Sequence, residues 1–171
     1  MEKNLLSIDL GKGSIGLAIS RSGMFISLLP EVRFKIGHYD DALKAIKGIL
    51  EIETIEHFVI GYPLFPSGDE CEMTPIVKQF ASSLNKLFPD ILIHFQDERN
   101  TTVEAMNMFH ENGIKVKKQK RKIDSGAAYI ILERYLKSIG QIWILYWLFK
   151  NTFCNIIIWM KLVYPLNHIS D

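Results

Sequence analysis

The apolar positions form short runs near the start of the chain and take helical spacing later. Residues 5–10, 14–20 and roughly 24–29 are apolar runs separated by Gly11-Lys12-Gly13 and Arg21-Ser22-Gly23. Runs of this length bounded by Gly/Ser turns predict three hairpin-connected strands. Leu43, Ile46, Lys47 and Leu50 then follow helical spacing behind Asp40-Asp41, a candidate N-cap. Phe58-Val59-Ile60 predicts a buried strand closed by Gly61-Tyr62-Pro63. Thr74-Pro75 opens a helix that carries Val77, Phe80, Ala81, Leu84 and Leu87 on one face. Residues 91–96 predict another strand. Thr101 and Glu104 have capping-box spacing for a helix ending at Gly113. Ala127, Ala128, Ile131, Leu132, Tyr135 and Leu136 line one face of a last helix, which Asp124 would open.

The predicted order is β-β-β-α-β-α-β-α-α. Antiparallel strands followed by alternating elements imply an α/β fold with a mixed sheet and helices packed on it. Ligands in such sheets gather at the carboxyl ends of the strands.

Composition changes the picture at one place. The 171 residues carry 20 basic and 19 acidic side chains, with 23% charged and 48% hydrophobic, which fits a folded chain and excludes a disordered or collagen-like one. Beyond residue 138 the only charged side chains are Lys150, Lys161 and Asp171, and all three tryptophans lie there. The expected division is a folded domain over 1–138 and an apolar tail over 139–171. Cys71 and Cys154 lie far apart without metal-ligand spacing, which fits a reducing compartment. Asp9 interrupts the first apolar run, so no signal peptide is expected and the cytoplasm is the expected location.

Four acids fall where this geometry would use them. Asp9 is near the end of the first strand, Asp97 and Glu98 are at the end of the strand over 91–96, and Asp124 is at the start of the last helix. Converging carboxylates repel unless a cation neutralises them. Oxygen ligands select Mg²⁺ or Mn²⁺, and two such ions about 4 Å apart can activate water and stabilise a leaving oxygen in phosphodiester cleavage. Taken singly, each acid has an ordinary reading: Asp124 as an N-cap, Asp9 as a turn residue, Asp97-Glu98-Arg99 as a solvated loop. Strict alternation puts Asp97 and Glu98 on opposite sides, so at most one of them is expected to point into such a site.

Lys115, Lys117, Lys118, Lys120, Arg121 and Lys122 precede Asp124. Such a segment can hold phosphates beside the acids, or it can be a solvated loop. Gly11-Lys12-Gly13-Ser14-Ile15-Gly16 matches a dinucleotide fingerprint by letter. That fingerprint must open a helix, whereas a second strand is expected here. An actin-like or sugar-kinase phosphate hairpin needs two domains, and 138 residues are too few.

The sequence resembles the YqgF/RuvX family of Holliday-junction-resolvase-like proteins, for which pre-16S rRNA cleavage is the proposed activity. Four blocks carry the resemblance: Asp9-Leu10-Gly11 with Ile15-Gly16-Leu17-Ala18; Gly61-Tyr62-Pro63-Leu64 followed by Gly68; Asp97-Glu98-Arg99-Asn100-Thr101-Thr102-Val103-Glu104-Ala105; and Lys122-Ile123-Asp124-Ser125-Gly126-Ala127-Ala128 continuing to Tyr135-Leu136. They span nearly all of 1–138, and the last two are the specific ones.

The resemblance implies an RNase H-like fold and a metal-dependent nuclease. Asp9, Glu98 and Asp124 match the family's acids and are the expected catalytic metal ligands, for Mg²⁺ or Mn²⁺ in a two-metal mechanism. Lys12, Arg99, Thr102, Lys120 and Lys122 are the expected nucleic-acid contacts, and Thr101 either joins them or caps its helix. Asp97 replaces or assists Glu98. Two positions depart from the family pattern: Lys12-Gly13-Ser14 displaces a Lys-Arg pair, and Arg21 stands where an acid is often found.

The implied function is processing of the 5′ end of pre-16S rRNA in ribosome biogenesis. The alternatives are a resolvase of four-way DNA, which would act as a homodimer, and a non-catalytic nucleic-acid-binding module. The expected partners are structured RNA or branched DNA. The tail has three readings. Residues 142–164 are long enough to cross a bilayer, although Lys150 and Lys161 oppose it. They could also form an interfacial or self-associating helix, or be a reading-frame artefact of an AT-rich region. Membrane contact is the less favoured expectation.

Overall fold

A computed structural model describes residues 4–111 and 120–140; at 102, 108–111 and 120–125 it describes the backbone alone. One mixed sheet organises these residues. Strands β1 (Leu5–Leu10) and β2 (Ser14–Ser20) pair antiparallel, with Asp9 opposite Gly16. Short strands β3 (Ser27–Leu28) and β4 (Val32–Arg33) both pair with β2. On the other side of β1, β5 (His57–Tyr62) and β6 (Leu92–Asp97) run parallel to it, giving the order β3-β2-β1-β5-β6.

Successive strand residues point to opposite faces, which builds two cores from one sequence pattern. Leu6, Ile8, Leu10, Ile15, Leu17, Ile19, Phe58 and Ile60 face one side. There they meet Ala42 and Ile46 of helix α1 (Tyr39–Leu50), and Val77, Phe80, Ala81 and Leu84 of helix α2 (Met73–Leu87). Leu5, Ala18 and Val59 face the other side and meet Ala128, Ile131, Leu132 and Leu136 of helix α4 (Lys120–Ser138). Helix α3 (Thr101–Glu111) packs against α4. Each fully buried Leu or Ile contributes about 1.5–3 kcal/mol, so the two faces anchor the helices firmly. Small residues on the α4 side bring that helix close. Ser7 and Ser20 are fully buried there, and among the described residues their hydroxyls have no hydrogen-bond partner.

Several expected boundaries are corrected. The run at 24–29 forms strand only over Ser27–Leu28, and β4 follows it where no strand was expected. His38 rather than Asp40-Asp41 precedes α1; the two acids lie in its first turn, where Asp41 takes Lys44 at 3.0 Å. Carboxylates there favour the helix dipole without capping it. The last helix begins at Lys120, so Asp124 lies inside α4 rather than at its opening, and Lys120-Arg121-Lys122 are helical. The remaining basic positions 115, 117 and 118, the helix end at Gly113, Cys154 and the tail 142–164 lie outside the described residues. Among the described residues no helix is long and apolar enough to cross a membrane.

Candidate functional site

The site is built on the α4 face of the sheet, at the carboxyl ends of β1, β5 and β6. Register fixes its floor. Ile8 pairs with Ile60, so Asp9 comes next to Gly61 across β1 and β5. Tyr62 pairs with Asp97, and the Glu98 N–H donates to the Tyr62 carbonyl at 3.4 Å. Glu98 therefore leaves the strand one residue past the sheet and folds its side chain back over Gly61. A Cβ built on Gly61 would stand 2.0 Å from Glu98 Oε2 and 2.7 Å from Ile131 Cδ1. The absence of a side chain at 61 makes the room that the Glu98 carboxyl occupies.

The chemistry of that carboxyl follows from its surroundings. Burial disfavours its charge, and the Asp9 carboxylate adds repulsion; Cys71 and Asp97 contribute less. Together they push the Glu98 carboxyl from its ordinary value of 4.5 up to about 8. Two acids expected from the sequence thus share one pocket of field. Asp124 belongs to α4, two turns before Ile131; its carboxyl lies outside the described residues. Among the described residues no group of three metal-ligating side chains forms.

Asp97 points the other way, as alternation requires. It accepts Arg99 Nε at 2.9 Å and Arg99 Nη2 at 2.6 Å, and its Oδ1 also accepts the Arg99 N–H at 2.9 Å. The guanidinium holds Asp97 below the usual carboxylate range. Arg99 also donates to the Pro66 carbonyl at 3.4 Å. Leu64, Pro66, Asp97, Arg99 and Asn100 line an open cavity of about 340 Å³ at the end of β6. Arg99, an expected nucleic-acid contact, is therefore held in its lining.

The turn after β6 is tightly determined. Asn100 takes a left-handed conformation, with φ of 64°. The Thr101 hydroxyl donates to the Glu98 carbonyl at 2.8 Å, and the Thr101 N–H reaches the same oxygen. This corrects the expected capping box. Thr101 fastens Glu98 instead of capping α3, and the Glu104 carboxylate accepts Arg134 Nη2 at 2.5 Å. Arg134 also donates from Nη1 to the Asp97 carbonyl at 3.0 Å and from Nη2 to the Arg99 carbonyl at 2.9 Å. Arg134 escaped the sequence reading because it reads as an ordinary polar residue on α4, and nothing in the pattern marks its partners.

The first hairpin contributes Lys12, exposed and paired with Glu72 at 3.1 Å. An exposed pair of this kind is worth little and can be exchanged for a phosphate. Gly11 to Gly16 form the β1–β2 turn and the start of β2, with the Gly11 N–H on the Ser14 carbonyl at 2.8 Å; no helix follows, which excludes the dinucleotide fingerprint. Arg21 sits at the opposite end of the sheet from Asp9 and binds Glu53 through Nε at 3.0 Å and Nη2 at 2.5 Å. This departure from the family pattern is a tie between the end of β2 and the segment after α1, remote from the acids. The side chains of Thr102, Lys120 and Lys122, also expected contacts, lie outside the described residues.

Comparison with known proteins agrees with this architecture. The family model described as "RuvX: Holliday junction resolvase" matches residues 3–138. A relative from Chlorobium phaeobacteroides, named "Putative pre-16S rRNA nuclease", is 34% identical over 143 residues, covering 81% of this chain and 95% of its own. One of the same name from Mesomycoplasma hyopneumoniae is 38% identical over 136 residues, covering 78% and 94%. In structure, the chain is similar to a Fowlpox virus resolvase solved with Holliday junction DNA, at TM-score 0.51 and 13% identity, covering 80% of this chain and 99% of that one. It is also similar to RuvC of T. thermophilus in complex with a Holliday junction substrate, at TM-score 0.50 and 12% identity, covering 81% and 97%. At such identities the likeness is one of fold, the RNase H-like mixed sheet of the resolvases. With the family model matching most of its length and relatives above 30% identity, the chain belongs to the RuvX family.

Proposed function

We propose that this protein is a metal-dependent nuclease that hydrolyses phosphodiester bonds in structured RNA and processes the 5′ end of pre-16S rRNA. The observation that carries the reading is the convergence of Asp9 and Glu98 over Gly61 at the carboxyl end of the sheet. Residues 1–138 form the nuclease domain, and the relatives' shared name supplies the substrate class.

The donor set fits a divalent cation. A carboxyl pushed up to about 8 beside a second carboxylate is a site short of positive charge, and both groups offer hard oxygen. Asp9 and Glu98, with Asp124 from α4, would hold Mg²⁺ or Mn²⁺, which supplies an activated water and charge neutralisation at the phosphate. Arg99 and Lys12 orient the phosphate backbone on either side, and Thr102, Lys120 and Lys122 extend that contact. The reaction belongs in the cytoplasm, where rRNA precursors are made.

The test is cleavage by the full chain of a pre-16S rRNA 5′ leader and of a synthetic four-way DNA junction, with Mn²⁺ and with EDTA, beside Asp9→Asn. RNA cleavage requiring metal and Asp9 is the expected result. Junction cleavage without RNA cleavage would replace it by the second reading, a dimeric resolvase, which the family model's own description favours. Binding without cleavage of either would leave a non-catalytic module.

A further inference from the structure

Glu98 contributes one side chain to the site, and its backbone is fixed from both sides by one residue of another element. The Arg134 guanidinium spans the turn: Nη1 holds the carbonyl of Asp97 and Nη2 holds the carbonyl of Arg99, the residues immediately before and after Glu98. The same Nη2 meets Glu104 of α3 at 2.5 Å, so a carboxylate from a third element balances and aims the charge. Arg134 is three-quarters buried at its side chain, and both of its terminal nitrogens are occupied inward. It is placed to brace protein, not to touch a phosphate.

We infer that Arg134 is a positioning residue for Glu98, locking the strained turn over 97–100 so that the Glu98 carboxyl stays above Gly61 and beside Asp9. The left-handed Asn100 explains why a brace is needed. A non-glycine residue in that region persists only where its neighbours over-determine it. Thr101 fixes the Glu98 carbonyl and the Glu104 N–H fixes the Asn100 carbonyl at 3.0 Å, which leaves the carbonyls of Asp97 and Arg99 to Arg134. A planar fork with two donor ends suits two carbonyls at once, and a lysine ammonium cannot span them in the same way. Outer contacts of this kind set ligand orientation.

This inference rests on the metal-nuclease reading, and its test separates the two. Full-length wild type, Arg134→Ala, Arg134→Lys and Glu104→Gln are compared in two measurements: Mn²⁺ affinity by electron paramagnetic resonance, and kcat and KM on the RNA leader. Arg134→Ala is expected to weaken Mn²⁺ binding and lower kcat by about tenfold to 100-fold, with KM little changed. Arg134→Lys keeps the charge and is expected to recover only part of both, while Glu104→Gln shows a smaller loss of the same kind. Wild-type Mn²⁺ affinity and kcat in a folded Arg134→Ala, or full recovery by Arg134→Lys, would overturn the inference. Should Arg134→Ala fail to fold, Arg134→Lys and Glu104→Gln decide by the same criterion. Absence of RNA cleavage by wild type would count against the nuclease reading alone, because the Mn²⁺ comparison still decides the role of Arg134.

Discussion

Gly61 and Glu98 occupy one volume between them: the place of a Cβ on residue 61 is 2.0 Å from the carboxylate oxygen of residue 98. The first atom displaced by any side chain at 61 is therefore a candidate ligand atom. Gly61→Ala should fold, since the colliding atoms end flexible side chains, at a cost of about 1–3 kcal/mol from overpacking. Cleavage should fall by about tenfold to 100-fold as the carboxyl is displaced. Thermal unfolding and kcat measured on the same preparation check both halves; retained kcat would show that Glu98 works from another position.

Asp9→Asn, Glu98→Gln and Asp124→Asn should each remove metal-dependent cleavage while leaving the fold intact, because each takes away one anionic oxygen ligand. Asp97→Asn should behave differently. Its carboxylate is committed to Arg99, so the loss should appear mainly in KM as Arg99 is released. Steady-state kinetics on the RNA leader distinguish them, and full activity in Asp9→Asn would sink the assignment.

The Glu98 carboxyl also predicts a pH dependence. Its folded value, about 8, lies above its ordinary 4.5, so between these limits the folded state binds more protons than the unfolded. The stability this provides is complete below pH 4.5 and is lost as pH rises towards 8, roughly 2–4 kcal/mol across the window. In EDTA, Glu98→Gln should therefore melt higher than wild type at pH 8 and no higher at pH 4. Adding Mn²⁺ at pH 7 should raise the wild-type Tm and release protons, with little effect on Glu98→Gln. A wild-type Tm unchanged by Mn²⁺ would contradict the cation fit.

Ser7 is fully buried under α4, and among the described residues its hydroxyl has no partner. Burying such a group costs on the order of 1–3 kcal/mol. Ser7→Ala should stabilise the protein by about 1 kcal/mol without touching the acids, and denaturant unfolding reads the difference directly. A destabilised variant would mean that the hydroxyl has a role in the packing of α4.

Much of the scaffold was legible because its signals are local. Leu5–Leu10 and Ser14–Ser20 match the expected strands residue for residue, since glycine turns bound alternating apolar runs. The two-residue β4 carries no such pattern and was invisible. The capping box failed for a reason the sequence does not carry. Thr101 and Glu104 have the spacing of a capping box, but Arg134, distant in sequence, claims Glu104, and Thr101 turns to Glu98. Asp124 has the residue type of a cap, yet the helix starts a turn earlier at Lys120. At Glu104, local propensity yields to a charged group from another element that offers a stronger partner. Gly61 could have been suspected, because a glycine in a buried strand often marks a close approach.

The parallel pairing of β1 with β5, and of β5 with β6, dictates when the site can exist during synthesis. Asp9 leaves the ribosome early, but its strand has no neighbour on that side until β5 follows, and Glu98 comes later still. Arg134, which braces Glu98, belongs to α4, the last of the described helices. Pairings this distant form only after long loops have closed. On the proposed reading, a growing chain that carries the first acid cannot bring Asp9 and Glu98 together until nearly all of residues 3–138 have emerged.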